Sequence, residues 1–205
     1  MTRLGFVINL DTCSDHRSCM LACKKQTESF LGSHYIETFT AMTDDYPRPN
    51  TYFIPVPCQH CAKPSCVPAC PQGVFSKRAD GIVAVGDTSV CESCRDKPCV
   101  AACPYQRIFL DPKDGRVGKC DGCAESIDAG GAPKCSTNCL GRSIMFGDLD
   151  DDETMVAQAL MVYEDMGGIH RLRPELDNQP SVYYLLTGRY FQDMDTLYSP
   201  AWHNA

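Results

Sequence analysis

The sequence lacks long apolar segments and targeting signals. No apolar run approaches the roughly 18 residues that a membrane-spanning helix requires. The first ten residues contain no apolar core, no twin arginine and no A-x-A cleavage site. We therefore expect no signal peptide and no transmembrane helix of its own, and a protein that is cytoplasmic, or that is exported or membrane-associated together with a catalytic partner.

Positive charge is also scarce. The chain has 19 Lys and Arg against 26 Asp and Glu, a net charge of -7, which disfavours nucleic acid as a partner. Nucleophile motifs, phosphate-binding glycine-rich loops and nucleotide fingerprints are all missing from the sequence. We therefore predict no catalytic residues in this chain, and any substrate chemistry would belong to another subunit.

Cysteine, in contrast, is abundant, with 15 in 205 residues. These cysteines count toward the 43% hydrophobic content, so the aliphatic and aromatic core is thin and metal centres are expected to supply part of the folding energy. The odd number and the C-x2-C pairs favour metal ligands over a closed set of disulfides.

Two central cysteine groups share the spacing C-x2-C-x4-C-x3-C-P. The second loop (58–70) carries it first, and the third loop (91–103) repeats it 33 residues later. In ferredoxins, three thiolates of such a loop bind one [4Fe-4S] cluster and the cysteine before proline binds the other cluster of a pair. This exchange predicts two ligand sets: Cys91, Cys94, Cys99 and Cys70 for cluster 3, and Cys58, Cys61, Cys66 and Cys103 for cluster 4.

Two outer groups flank the central pair with a modified pattern. The first loop (13–23) has a histidine where the second cysteine is expected, and a glycine-rich insertion stretches the fourth loop (120–139). Lys24 and Leu140 replace the usual prolines. The same exchange predicts two further ligand sets: Cys13, His16, Cys19 and Cys139 for cluster 1, and Cys120, Cys123, Cys135 and Cys23 for cluster 2.

His16 fills the one gap in a set of sixteen ligands. We expect it to bind cluster 1, and the alternative is a [3Fe-4S] or water-ligated cluster beside a free histidine. A neutral imidazole in place of a thiolate would raise the potential of that cluster, as histidine does in Rieske centres. The other four histidines are interpreted as surface or satisfied core residues: His34, His60, His170 and His203.

Structural zinc is the main alternative for the cysteines, because C-x2-C pairs also build four-thiolate zinc sites. The third cysteine at x4 and the fourth at x3 before proline favour iron-sulfur clusters. Three functional hypotheses follow. The chain is an electron-transfer subunit of an oxidoreductase complex, a free polyferredoxin-type carrier serving a hydrogenase or other redox enzyme, or a zinc-stabilised interaction protein.

Short strands, turns and helices alternate with the loops, which predicts an α+β fold. Strands are expected at 4–10, 143–146 and 181–186, hairpins turning at Asp80-Gly81 and Asp114-Gly115, an ordered connector over 24–57, and a helix from 155 capped within 150–153. The predicted architecture is two nested ferredoxin-like modules: an outer one (1–50 with 111–149), an inserted one (51–110), and a C-terminal helix with a partner-contacting tail (150–205).

Four cysteine groups in this order, the outer pair enclosing the inner pair, resemble the four-cluster iron-sulfur (beta) subunit of the dimethyl-sulfoxide-reductase superfamily of molybdopterin oxidoreductases. The likeness spans residues 3–149, and 179–184 is similar to a segment near the end of these subunits. It implies four [4Fe-4S] clusters that pass electrons between a molybdenum or tungsten bis-pterin catalytic subunit and a membrane anchor or soluble donor. The first-loop cluster would lie nearest the catalytic subunit.

Overall fold

The computed structural model describes residues 2–42 and 51–187. Part of the predicted connector (43–50), the end of the predicted tail (188–205) and His203 lie outside these residues. Within them the chain is a mixture of short strands and short helices. The α+β prediction is confirmed at this level.

Ten strands are present in the described residues: β1 (Leu4–Asn9), β2 (Glu37–Met42), β3 (Thr51–Val56), β4 (Phe75–Lys77), β5 (Val83–Val85), β6 (Phe109–Leu110), β7 (Val117–Gly118), β8 (Ile144–Asp148), β9 (Ile169–His170) and β10 (Val182–Leu185). Five α-helices accompany them: α1 (Ser18–Thr27), α2 (Pro98–Ala101), α3 (Ala124–Asp128), α4 (Lys134–Thr137) and α5 (Met155–Glu164). Two 3-10 segments cover Ser89–Ser93 and Pro174–Leu176.

The largest sheet has four strands in the order β8-β1-β10-β9. Strand β1 pairs antiparallel with β8, with Phe6 opposite Phe146, and parallel with β10, with Phe6 opposite Val182. Both central strands are nearly continuous apolar runs, as expected for strands covered on both faces. The three strands predicted at 4–10, 143–146 and 181–186 are confirmed and belong to this one sheet.

The remaining strands form three antiparallel hairpins, β2-β3, β4-β5 and β6-β7. The second turns at Asp80-Gly81, where the Asp80 carboxylate accepts the Ile82 backbone N–H and Gly81 has φ +95°. The third turns at Asp114-Gly115 in the same way. Aspartate followed by glycine suits such turns, since the carboxylate bonds the backbone and glycine adopts positive φ. Both predicted hairpins are confirmed.

Helix α5 packs on the large sheet and buries Val156 completely. It is confirmed where the periodicity predicts it. Its N-cap differs from the expectation: Thr154, rather than a residue of the acidic run 150–153, accepts the Ala157 backbone N–H through its hydroxyl at 3.3 Å. The Asp151 carboxylate instead accepts a hydrogen bond from the backbone N–H of Glu153 in a local turn.

The cysteines form much of the interior. Ten of the 15 are buried and the other five are half-buried. They pack in the same clusters as the aliphatic and aromatic core residues, for example beside Val74 and Phe75 or beside Phe6 and Ile8. Among the described residues, no helix has both the length and the apolar character that crossing a bilayer would require.

Candidate iron-sulfur sites

Three of the four cysteine loops contain the same backbone turn. The residue two positions after the first cysteine has positive φ: 53° at Asp15, 43° at His60 and 74° at Gly122. Non-glycine residues adopt this left-handed region rarely, so its recurrence at one loop position indicates a shared backbone path. The first, second and fourth loops therefore repeat in structure as well as in sequence.

A second repeated contact holds the last cysteine of a loop. The backbone N–H of Arg107 lies 3.4 Å from Cys103 Sγ, and that of Ser143 lies 3.2 Å from Cys139 Sγ. In each case the donor is the fourth residue after the sulfur. Such N–H groups stabilise negative charge on sulfur, as a cluster ligand requires.

The thiols of the second loop gather around one cysteine of the third loop. Burial raises the pKa of Cys61, and three neighbouring thiols raise it further: Cys58, Cys103 and Cys66. Burial raises the pKa of Cys66 to about 12, with contributions from Cys58 and Cys103. The four residues predicted for cluster 4 are therefore neighbours.

The thiols of the third loop gather around Cys70 of the second loop. Burial raises the pKa of Cys99 to about 11. The largest contribution from another thiol comes from Cys70, which also forms a hydrogen bond with Cys99, and smaller ones come from Cys91 and Cys94. The structure thus brings together the four residues predicted for cluster 3.

The thiols of the outer loops come together through two helices. Cys19 and Cys23 lie one turn apart on α1, and both are buried against α4, which carries Cys135. Burial raises the pKa of Cys135 well above its usual range, and the thiols of Cys23 and Cys123 add to the rise. Burial raises the pKa of Cys120 well above its usual range, and the thiols of Cys58, Cys23 and Cys135 raise it further.

His16 lies on the small cavity that the first loop forms with the fourth. Cys13, Cys19 and Cys139 line the same cavity. Burial raises the pKa of Cys13 to about 11, with contributions from the other two thiols. The His16 side chain is exposed, and its Nδ1 lies 3.0 Å from Ser14 Oγ. A hydrogen bond at one ring nitrogen orients the imidazole and leaves Nε2 available for a metal.

The chemistry of these groups fits iron-sulfur clusters. Each group places several thiols where they raise one another's pKa, so the all-thiolate state needs a cationic centre to stabilise it. Thiolates are the ligands that iron-sulfur clusters use. Within 2–42 and 51–187, no three His, Cys, Asp or Glu side chains are arranged to bind a single metal ion.

Half-buried lysines, which the sequence interpretation did not identify, hold the loops together. Lys77 donates to the carbonyls of His60 and Cys61 at 2.9 and 2.7 Å, and Lys97 donates to those of Cys91 and Cys94 at 3.0 and 2.5 Å. Burial lowers the pKa of Lys77. These ammonium groups satisfy loop carbonyls and place positive charge beside the thiols.

His60 is a core residue, as interpreted from the sequence, with two polar contacts that sequence could not indicate. It is fully buried, its Nδ1 accepts the Val83 backbone N–H at 3.1 Å, and its Nε2 lies 3.7 Å from Cys120 Sγ. Burial, and then the charges of Lys119 and Lys77, lower its pKa well below the usual range. The imidazole is therefore neutral, with its proton on Nε2 facing the sulfur.

Comparison with known proteins agrees with this chemistry. The family described as "4Fe-4S dicluster domain" matches residues 49–149. A putative dimethyl sulfoxide reductase iron-sulfur subunit of Halobacterium salinarum is 33% identical over 90% of this chain and 79% of its own length. A tetrathionate reductase subunit of Salmonella typhimurium is 31% identical over 89% of this chain and 72% of its own length.

A further relative, the beta subunit of the perchlorate reductase of Dechloromonas aromatica, is 32% identical over 69% of this chain, which spans only 41% of that relative. The matches to the dimethyl sulfoxide and tetrathionate reductase subunits cover more than two thirds of this chain and of each relative. The family model identifies the [4Fe-4S] chemistry. The predicted iron-sulfur clusters are confirmed over structural zinc. The chain belongs to the four-cluster iron-sulfur (beta) subunits of the dimethyl-sulfoxide-reductase superfamily of molybdopterin oxidoreductases.

Proposed function

We propose that this chain relays electrons to or from a molybdopterin catalytic subunit through four [4Fe-4S] clusters bound by the four predicted ligand sets. One observation carries the proposal: thiols from loops far apart in sequence meet in groups that follow the exchange of the fourth cysteine. Cys61 with Cys103 and Cys99 with Cys70 represent the inner exchange. Cys13 with Cys139 represents the outer one.

The same exchange supports two nested modules. The outer module (1–50 with 111–149) is supported by the pairing of β1 with β8 and by the packing of α1 on α4. The inserted module (51–110) is supported by the thiol contacts between the second and third loops. The C-terminal segment (150–205) adds β9 and β10 to the large sheet and packs α5 on it, and we propose that its tail contacts a partner subunit.

The order of the clusters along the relay follows from contacts between the groups. Clusters 1 and 2 share the outer module, and clusters 3 and 4 share the inner one. Between the modules, Cys58 raises the pKa of Cys120 more than any other thiol does. The proposed order is therefore 1-2-4-3, with clusters 2 and 4 adjacent at the junction.

When bound, the clusters would supply one-electron transfer, and the side chains of this chain would hold them without reacting themselves. Buried thiolates bind iron, backbone N–H groups and lysine ammonium groups offset the negative charge, and apolar side chains exclude water. His16, oriented by Ser14, would replace one thiolate at cluster 1 and raise its potential. Leu140 and Leu21, in or beside the loops of this cluster, are 71% and 73% exposed, which suits a face covered by a catalytic subunit.

The ligand sets are tested by paired cysteine substitutions. Cys70→Ser and Cys91→Ser act on the same proposed cluster, so the double variant should lose no more iron than either single variant. Cys70→Ser and Cys61→Ser act on different clusters, so that double variant should lose two clusters. If ligands were grouped by loop, the second pair would remove only one, and anaerobic iron and sulfide assays would separate the two outcomes.

Partnership is tested separately by reading the neighbouring open reading frames and co-expressing this chain with any large molybdopterin subunit found there. A stable complex is expected, since the relatives are named as reductase subunits. A chain that purifies alone with its clusters and reduces a hydrogenase would favour the polyferredoxin-type carrier. We propose that the chain occupies the compartment of its catalytic partner, cytoplasmic or exported, with a membrane anchor or soluble donor at the far end of the relay.

A further inference from the structure

Two buried side chains cross between the second and fourth cysteine loops in opposite directions. His60 belongs to the second loop, between Cys58 and Cys61, and reaches Cys120 of the fourth loop. Lys119 lies next to Cys120 and reaches Cys58 of the second loop. Each loop therefore supplies a proton donor to a sulfur of the other loop, and the two contacts join the proposed clusters 2 and 4.

The tautomer of His60 makes it a donor to sulfur. Its Nδ1 accepts the Val83 backbone N–H, so the ring proton of the neutral imidazole is on Nε2. Nε2 lies 3.7 Å from Cys120 Sγ, within range of an N–H···S hydrogen bond. The ring has no solvent exposure and stacks on Phe6 at a centroid distance of 6.0 Å, so its orientation is fixed by packing.

Lys119 is equally constrained. Its side chain is buried, and its ammonium donates to the carbonyls of Val83 and Cys120 at 2.6 and 2.7 Å. An ammonium has three N–H donors, and the third points to Cys58 Sγ at 3.8 Å. The ring of Phe75 lies 5.6 Å from the nitrogen. A cation fixed in this way acts on a sulfur with little screening by water.

We propose that His60 and Lys119 form a reciprocal junction that raises the potentials of the two clusters at the module boundary, each residue acting on the cluster bound by the opposite loop. Hydrogen bonds and positive charge at ligand sulfurs stabilise the reduced cluster, which carries one more negative charge. His60 would thereby raise the potential of cluster 2, and Lys119 chiefly that of cluster 4. The inference rests on the proposed ligand sets, and both residues are positioning residues.

His60→Asn is the sharpest substitution at this site. Asparagine tolerates the positive φ of 43° at this position and keeps an acceptor for the Val83 N–H, but its amide is too short to reach Cys120. His60→Gln is the matched control, because its longer amide can donate to the sulfur. Anaerobic redox titration followed by electron paramagnetic resonance should detect a lower midpoint potential for cluster 2 in His60→Asn, largely restored in His60→Gln.

Lys119→Met keeps the length of the side chain and removes its charge. The expected result is a downward shift that is larger for cluster 4 than for cluster 2. Lys63→Met is the control, since Lys63 lies in the second loop, whose Cys58 is contacted by Lys119. The Lys63 side chain is 58% exposed and paired with Asp177. Solvent screens that charge, so all four potentials should stay unchanged. The signals lost in Cys123→Ser and Cys66→Ser identify clusters 2 and 4.

Unchanged potentials in iron-replete His60→Asn and Lys119→Met would overturn the junction, as would equal shifts in His60→Asn and His60→Gln. If a variant loses iron, the test uses wild-type protein labelled with ¹⁵N-histidine. Pulsed electron paramagnetic resonance of reduced cluster 2 should detect a weak hyperfine coupling to an imidazole nitrogen. The absence of this coupling overturns the proposal. A wild-type chain with too little iron for four clusters would instead contradict the proposed function.

Discussion

The ion pair between the buried Arg107 and the half-buried Glu37 gives a quantitative test of how the loops are stabilised. The Arg107 side chain is 2% exposed, and its Nη1 lies 3.1 Å from Glu37 Oε2. The same guanidinium donates to the carbonyls of Tyr105 and Gln106, at 3.1 and 3.0 Å. Arg107 also supplies the backbone N–H at Cys103 Sγ. Glu37→Gln removes one carboxylate from the surroundings of this buried cation.

The stabilisation free energy lost in Glu37→Gln lies between two limits. Breaking a fully buried pair costs roughly 3–5 kcal/mol, whereas an exposed pair contributes about 0–1 kcal/mol. Glu37 is 35% exposed while Arg107 is buried, so the pair lies between these limits, and we take about 2 kcal/mol. At about 1.36 kcal/mol per factor of ten, cluster release should accelerate by about 30-fold if the pair breaks before the clusters leave.

The assay is the anaerobic loss of cluster absorbance in moderate urea with an iron chelator, because unfolding that destroys the clusters is governed by a rate. Asp177→Asn is the control, since its pair with Lys63 is exposed and its removal should leave the rate unchanged. If Glu37→Gln released its clusters as slowly as the wild type, the remaining groups around Arg107, among them the carbonyls and the rings of Phe39 and Phe109, would be sufficient to stabilise its charge.

Three further outcomes are expected. His16→Cys should lower the potential of cluster 1 and leave the other three nearly unmoved in a redox titration; four unchanged potentials would exclude ligation by the histidine. Gly118→Ala should destabilise the fold by about 1–3 kcal/mol and speed cluster release, because its Cβ would overlap Tyr35 Oη and approach the Phe30 ring to 2.7 Å. Thr154→Ala should cost about 1 kcal/mol, measured as faster amide exchange at the start of α5, with exchange in β4-β5 unchanged.

Local patterns were sufficient to predict much of the fold. The Asp-Gly turns at 80–81 and 114–115 and the apolar run at 4–10 depend on residues close in sequence, and the structure has the expected hairpins and strand there. The cysteine spacing likewise predicted iron-sulfur clusters, because the geometry of a cluster-binding loop fixes the spacing of its cysteines along the sequence. The hairpin β2-β3, in contrast, falls in a stretch interpreted only as an ordered connector.

The polar contacts around the thiols depend on tertiary structure and had no local signal. Lys119 bonds a carbonyl 36 residues away, and the His60 imidazole faces a sulfur 60 residues away. A lysine or histidine beside a cysteine is compatible with exposure as well as burial. Only tertiary packing turns these side chains toward the sulfurs, so sequence could predict the ligands but not what surrounds them.

The parallel pairing of β1 with β10 has a consequence for how the protein is made. Strand β1 is translated long before β10, so its ladder with Val182–Leu185 cannot form until that later segment has left the ribosome. The hairpins β4-β5 and β6-β7 pair strands that are close in sequence, so they can form as soon as their own residues have left the ribosome. The two central cysteine loops can therefore come together before the apolar β1 gains its parallel neighbour β10, and until then the exposed edge and apolar side chains of β1 favour aggregation.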